Sequence, residues 1–545
     1  MTSSETIYLL LPEAALILFA TLIFVAGAFY PARTGWNLLA AFGLLVAGGV
    51  LCIQINSNPV YSAVFRGQAP LAIVSGPVVV DLFSLASRAL VIGVGMLFVM
   101  ITSRTAAETQ EPELMGSLLL IISGLNVVAM ANDLVVVFLG LELVSIPTYV
   151  LLFVGSGHVE RYAAQRQEAA TKYFFLSVLS SAVLLYGFSF LYGVSGSTRL
   201  TDVFAVISQP SDERGTQLFS RLAMVFIFAG LGFRLTAVPF HFYAPDVYQG
   251  TSNPNAGLLA VIPKIAAVVA LVRIVVVAMP GLEQVGWQLT LAMAFVTMTL
   301  GNLVALWQAN IRRLLAYSSI AHAGYMLIGL SVGFAVAGDE LASASADGMG
   351  ATIFYLIVYS LATAGTFAAI TYLGGAGRQI DTVEDLAGLS QTHPQAAFAI
   401  AVFMFSLTGL PPLAGFWGKF GLLTGALGVD AKSGGLTDGL WPWFLMLSVV
   451  TVVNAAISAA YYLRVISVMY FRPALSTPLA QGGVGAALAM FLCAALVVAV
   501  GVYPGPMQEA SRAMSRSARQ TINERDSAEN SPQDFLATRH RSAED

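Results

Sequence analysis

Charge is scarce in this chain. Only 10% of its 545 residues are Asp, Glu, Lys or Arg, where a soluble domain carries about 25%. That excludes a soluble globular protein. Cysteine is almost missing: Cys52 and Cys493 stand far apart in separate apolar runs, which excludes a disulfide framework, a cysteine-held iron–sulfur cluster and a CxxC redox site. A formal net charge of −4 leaves no basic field, so no nucleic-acid partner is expected. Lysine is the rarest charge, with four copies, Lys172, Lys264, Lys419 and Lys432, beside 22 arginines.

What fills the chain is apolar: 57% of the residues are hydrophobic. A membrane-spanning helix needs about 20 apolar residues, and we count about fourteen such runs, from 5–28 to 482–504. At these lengths in lipid only helices satisfy their own backbone. The first run has no basic leader and no small-residue cleavage site, so it reads as a retained span. The expected fold is an all-α polytopic membrane protein. The forty residues after Gly505 hold 13 of the 56 charged side chains, and 506–545 reads as a mobile polar tail.

Lys and Arg in the loops set the orientation. Nine, among them Lys172, Arg312 and Arg313, fall on the side reached after the first span, and six, among them Arg273, on the other, leaving out the tail. The excess makes the first side cytoplasmic and puts both termini outside.

Two lysines lie within spans, Lys264 in AVIPKIAAVVALV and Lys419 in LPPLAGFWGKFGLL. An ionisable group at membrane depth is by default functional. Arginine stays charged wherever it is put, whereas a buried lysine can release its proton near neutral pH. Lysines here suggest groups that titrate. The plainer alternative is an ammonium snorkelling to the interface. Glu142 is the acidic counterpart, about 14 Å into its span at helical rise, with Pro147 loosening the backbone one turn later. Arg234 is its candidate partner, a structural lock or, if the two separate, a proton switch. His241, seven residues after Arg234 and thus on the same helical face, and His322 in LLAYSSIAHAGYM are relay candidates or structural hydrogen-bonders. Lys172, at the mouth of the sixth span, reads as a snorkelling residue or a connector.

A faint repeat, Leu235-Thr236-Ala237-Val238-Pro239 against Leu407-Thr408-Gly409-Leu410-Pro411, sits in the seventh and twelfth spans. Five spans separate the copies, and an odd interval inverts them in the membrane. We therefore expect proline-broken helices and two inverted five-helix repeats. This divides the chain into a three-span segment 1–113, repeats at 114–280 and 281–472, a last span at 473–505 and the tail 506–545.

GLELVSIPTYVL, EAATKYFFL, LGFRLTAVPFHFYAPDVYQGTSNP, the PKI of the eighth span, ALWQANIRRLLAYSSIAHAGYMLIG and LTGLPPLAGFWGKF together resemble the antiporter-like subunits of respiratory complex I, the NADH–quinone oxidoreductase. The stretch HFYAPDVYQG is similar to the subunit N branch. The resemblance covers roughly 115 to 470. It implies the fourteen-helix fold with inverted repeats and proton translocation coupled to electron transfer from NADH to quinone elsewhere in the complex. No cofactor is then expected on this chain; NADH, FMN, iron–sulfur clusters and quinone belong to partner subunits. The other membrane subunits and the lipid bilayer are the partners, and the location is the bacterial plasma (inner) membrane. By position, Glu142 matches the family's fifth-helix glutamate, Lys172 its sixth-helix lysine, Lys264 its eighth-helix lysine, Lys419 its twelfth-helix lysine and His241 the histidine after the seventh-helix proline. One departure stands out: the seventh-helix lysine is here Arg234, which can pair with Glu142 but not surrender a proton. A free-standing cation/proton antiporter of the same fold, a ferredoxin-fed photosynthetic relative and a passive scaffold remain as alternatives.

Overall fold

The computed structural model describes residues 3–529 apart from 31–34, 58–61, 63–72, 104–109, 154–162, 209–213, 280, 337–346, 375–379, 430–438, 475–477 and 479. Six residues of the orientation count, Arg33, Arg66, Arg104, Arg161, Arg378 and Lys432, lie outside the described residues, as does 530–545.

Among the described residues, thirteen helices are long and apolar enough to cross a membrane, from Leu11–Phe29 to Gly483–Val502. The fourteenth expected span, the twelfth in order, is present in two pieces, Pro394–Thr408 and Ala414–Leu427. Neither piece reaches the 20 residues needed to cross alone. The helices in the middle of the sequence form the interior. The eighth span, Asn253–Val275, is buried throughout, whereas only about a quarter of the last span is. Outward faces carry large apolar side chains such as Leu139, Ile146, Phe175 and Leu179, as a lipid-facing surface requires.

Proline has different effects at different places. Pro147 lies inside the fifth span, Leu134–Phe153, without breaking it. Pro263 is likewise carried within the eighth, which ends in a π-helical segment, Val272–Val277. At Pro239 and Pro411 the helices do stop. The seventh span, Arg214–Leu235, closes with Thr236 N–H on Phe233 O at 3.0 Å and Ala237 N–H on Gly232 O at 2.9 Å. The first half of the twelfth closes with Gly409 N–H on Ser406 O at 3.0 Å and Leu410 N–H on Phe405 O at 3.1 Å. Both are the same six-residue capping motif, whose penultimate residue must be left-handed. Gly409 takes that place with φ 92°, Thr236 with φ 61°. For the β-branched Thr236 the conformation costs on the order of 1–3 kcal/mol. Peptide bonds Val238–Pro239 and Pro411–Pro412 are cis.

This break corrects one expectation. His241 does not share a helical face with Arg234, because the helix ends at Leu235 and the chain reverses its twist at Thr236. A second correction concerns the tail, where Gly505–Glu529 is helical. Ser511, Met514, Ser515 and Ala518 form its buried stripe, and Ser515 donates to Asp347 Oδ1 at 2.8 Å. Small residues at helical spacing let this helix dock closely despite its polar composition. A third concerns charges counted as loop residues. Arg273 is buried against Asp81, with Nη1–Oδ2 2.6 Å, and Arg312 against Asp381 at 2.6 Å. A further buried pair, Arg88 with Glu13 at 2.8 Å, ties the third span to the first. A short hairpin, Ile73–Ser75 with Val78–Val80, has no counterpart in the sequence reading, because three-residue strands give no usable alternation.

Candidate proton-transfer site

The fifth, sixth and seventh spans meet around one carboxylate. Ser181 Oγ donates to Glu142 Oε1 at 2.5 Å, and Arg234 Nη2 lies 3.2 Å from the same oxygen. Arg234 also donates to Leu141 O at 3.2 Å, to Ser181 Oγ at 3.2 Å, and to Ser145 Oγ. The guanidinium is 2% exposed and Glu142 21%, so the pair is open mainly on the carboxylate side. Arg234 stands in the last turn of its helix, where the carbonyl ends favour a cation. Its Nε has no partner among the described residues. The sequence-derived pair is thus in contact, but through a single long hydrogen bond and not a bidentate clamp.

Lys264 is fully buried. Among the described residues it has no ion pair: Nζ donates to Thr236 Oγ1 at 3.0 Å and stands 6.0 Å from the centre of the Tyr359 ring. Thr236 Oγ1 in turn donates to Leu235 O at 2.6 Å. Thr236 therefore joins the ion-pair helix to the lysine.

From Tyr359 a row of hydroxyls and one imidazole runs on through the tenth, eleventh and thirteenth spans. Tyr359 OH lies 2.8 Å from Ser319 Oγ and 3.1 Å from Ala260 O. His322 Nδ1 is 2.6 Å from Tyr355 OH, and its Nε2 2.9 Å from Tyr462 OH, which also meets Ser318 Oγ. Beside it, Asn302 bonds Tyr325 OH at 3.0 Å, Asn454 at 3.1 Å and Tyr461 OH at 3.0 Å. Lys419 ends the row. Its Nζ donates to Leu407 O at 2.9 Å and Thr408 O at 2.8 Å, the carbonyls freed where the twelfth span stops, and sits 4.7 Å over the Tyr325 ring. Both lysines thus meet the end of a broken helix.

The remaining two candidates stand apart. Lys172 is 39% exposed and pairs with Glu168 at 2.7 Å and Asp246 at 2.9 Å, while Asp246 also takes Arg313 at 2.7 Å. Burial pushes the Asp246 carboxyl up, but its bonds to Lys172 and Arg313 outweigh that and hold it below the usual carboxylate value. Glu168, Lys172 and Asp246 line a cavity of 190 Å³ with Gln165, Ala169, Gln249 and Gly250. His241 is half-buried, and among the described residues its Nδ1 has no partner and no side-chain hydrogen bond joins it to the deep groups. Sequence reasoning missed the five tyrosines, which are unremarkable residues in apolar helices. Only their hydroxyl partners set them apart.

Residues 131–438 match the family described as NADH:quinone oxidoreductase/Mrp antiporter membrane domain. The chain is 35% identical over 468 residues to NADH-quinone oxidoreductase subunit N of Trichlorobacter lovleyi, covering 85% of this chain and 87% of that protein. It is 34% identical over 514 residues to subunit N of Methylobacterium nodulans, covering 93% and 97%. Among solved structures, a chain of respiratory complex I from Thermus thermophilus with bound aureothin superimposes with TM-score 0.71 at 30% identity, over 92% of this chain and all of that one. A chain of the Mrp complex from Dietzia sp. superimposes with TM-score 0.73 over 94% and 98%, at 20% identity. That last likeness is one of fold.

Proposed function

The chain belongs to the antiporter-like membrane-subunit family of NADH–quinone oxidoreductase, and from that membership we propose that its buried polar row carries protons across the membrane. It is a multi-pass membrane subunit of the subunit N type, a part of the proton-pumping NADH:quinone oxidoreductase that works with the other membrane subunits of complex I in the bacterial inner membrane. The redox cofactors of such complexes sit in other subunits, and we read this chain as carrying none.

The observation that supports the path is one row of titratable and hydroxyl groups from Lys264 through Tyr359, Ser319 and His322 to Lys419. Protons move only by short hops between hydrogen-bonded groups or bridging waters, and the row supplies such stations. We place the intake at the Lys172–Asp246 cavity, with His241 and water leading to Lys264, and the release past Lys419. Glu142 holds Arg234 while the pair is closed. A carboxylate near a lysine favours its charged form, and withdrawal of that carboxylate favours release. Arg234 stays charged throughout, so it moves charge without exchanging its proton.

We also read spans four to eight and nine to thirteen as inverted repeats, with 1–113 and 473–505 flanking them. The two equal helix caps at Thr236 and Gly409 support this. With Arg273 and Arg312 buried, the loop charges still favour the side that bears Lys172 as cytoplasmic, which puts both termini on the periplasmic side. A stand-alone antiporter is disfavoured by the subunit N relatives at 34–35% identity over most of the chain.

Lys264→Met in the native complex tests the path. Membrane vesicles oxidising NADH should lose proton uptake while the complex assembles; unchanged uptake at normal assembly removes Lys264 from it.

A further inference from the structure

We infer that Thr236 is the positioning residue that transmits the state of the Glu142–Arg234 pair to Lys264. Among the described residues no side-chain hydrogen bond joins it to the carboxylate or the guanidinium. It follows Arg234 by two residues, within one capping motif closed by Thr236 N–H on Phe233 O and Ala237 N–H on Gly232 O. A displacement of Arg234 at that end is therefore passed along the cap and not absorbed by a loose loop. Beyond the cap the chain is anchored: Val238 N–H donates to Thr297 Oγ1 of the ninth span at 3.0 Å, and Tyr243 OH to Phe233 O at 3.0 Å. Movement is then concentrated at Thr236.

Its side chain faces the lysine in a defined sense. The hydroxyl donates to Leu235 O at 2.6 Å, which leaves its lone pairs to accept from Lys264 Nζ at 3.0 Å. Among the described residues that ammonium has no other side-chain acceptor. Rotation or withdrawal of Thr236 thus removes the lysine's only such partner.

Residue choice argues that the hydroxyl is the reason for threonine here. The left-handed position of this motif suits glycine, and glycine fills it in the twelfth span, at Gly409. There the lysine bonds backbone carbonyls and needs no hydroxyl. In the seventh span a strained, β-branched threonine stands in glycine's place. Backbone geometry alone does not call for it.

The inference rests on Lys264 being a proton carrier. Its test uses whole complex in membrane vesicles, with proton uptake measured per NADH oxidised. Thr236→Gly relieves the backbone and should assemble fully, yet lower uptake by roughly tenfold, the factor a lost hydrogen bond to a charged group implies. Thr236→Ser keeps the hydroxyl and should restore most of it. Combined with Glu142→Gln, Thr236→Gly should add no loss beyond the larger single effect, since both act through one link. Normal uptake by Thr236→Gly, equal failure of the Gly and Ser variants, or multiplying losses in the double variant would each overturn the inference. If Lys264→Met also pumps normally, the proton path itself fails; if only Thr236→Gly does, the path stands and the link is wrong.

Discussion

In the seventh span the cap residue is Thr236 and the lysine it meets, Lys264, comes from the neighbouring helix; in the twelfth the cap residue is Gly409 and the lysine, Lys419, comes from the helix just beyond the break. Lys264 has one hydroxyl as its partner. Lys419 has two carbonyls and the face of Tyr325. A hydroxyl can accept or donate, and can turn away. A carbonyl at a helix end only accepts, and it is fixed by the backbone. The same helix end therefore offers two services: at Lys264 a partner that can change, at Lys419 a cradle that holds a cation. The first suits exchange under the control of a nearby ion pair. The second suits retention.

Arginine in place of each lysine tests this contrast most severely. Lys264→Arg keeps the charge but cannot release a proton, so uptake should fall by at least about a hundredfold in assembled complex. Lys419→Arg should cost less, because two carbonyls also accept from a guanidinium. Equal losses at both positions would erase the distinction. The next effect concerns the shared row. Tyr462→Phe takes the hydroxyl from His322 Nε2 and Ser318, and leaving such buried groups unpaired costs about 1–3 kcal/mol. Uptake should drop several-fold, with a lower melting temperature of the solubilised complex.

Backbone strain gives a third handle, unequal at the two caps. A Cβ at Gly409 would lie 2.9 Å from Lys419 Cδ at φ 92°, so Gly409→Ala should destabilise by about 1–3 kcal/mol. Thr236→Gly should leave the melting temperature nearly unchanged, because the strain it relieves, about 1–3 kcal/mol, is offset by the hydrogen bond it takes from the buried Lys264. The smallest effect is expected at the surface cluster. Asp246 is held below its ordinary value of 3.8, and a depressed carboxylate stabilises above its unfolded value and loses that contribution only as pH falls through the folded one. The Lys172–Asp246–Arg313 cluster should thus persist unchanged from pH 8 to about 5, and Asp246→Asn should slow uptake by no more than about twofold, given its exposure. A pH-dependent loss of the cluster above 5 would contradict the pairing.

Much of the site was legible in the chain. Glu142, Arg234, Lys264 and Lys419 show themselves because a charge within an apolar run is costly anywhere in it, whatever the fold. Asp81 and Arg273 did not, since both lie toward the end of a run, where a charge is ordinary; Glu13 and Arg88 lie within their runs, and the same signal, a charge inside an apolar stretch, could have found them. Their burial comes from other helices closing over them. Tyr355, Tyr359 and Tyr462 escaped notice for a related reason: a tyrosine in an apolar helix is unexceptional until the group its hydroxyl meets is known. His241 was misplaced by assuming a helix through Thr236, and only the cap geometry shows where that helix stops.

The sequence by itself determined a bundle of membrane helices and several of the ionisable groups at depth, because hydropathy acts locally. Tertiary structure decided which groups meet: that Arg234 reaches Glu142, that Lys264 finds a threonine hydroxyl and Lys419 a pair of carbonyls, and that tyrosines from three helices line up between them. Those contacts depend on how separate helices approach and rotate against one another. No local pattern encodes that, since it is the sum of packing across the whole bundle.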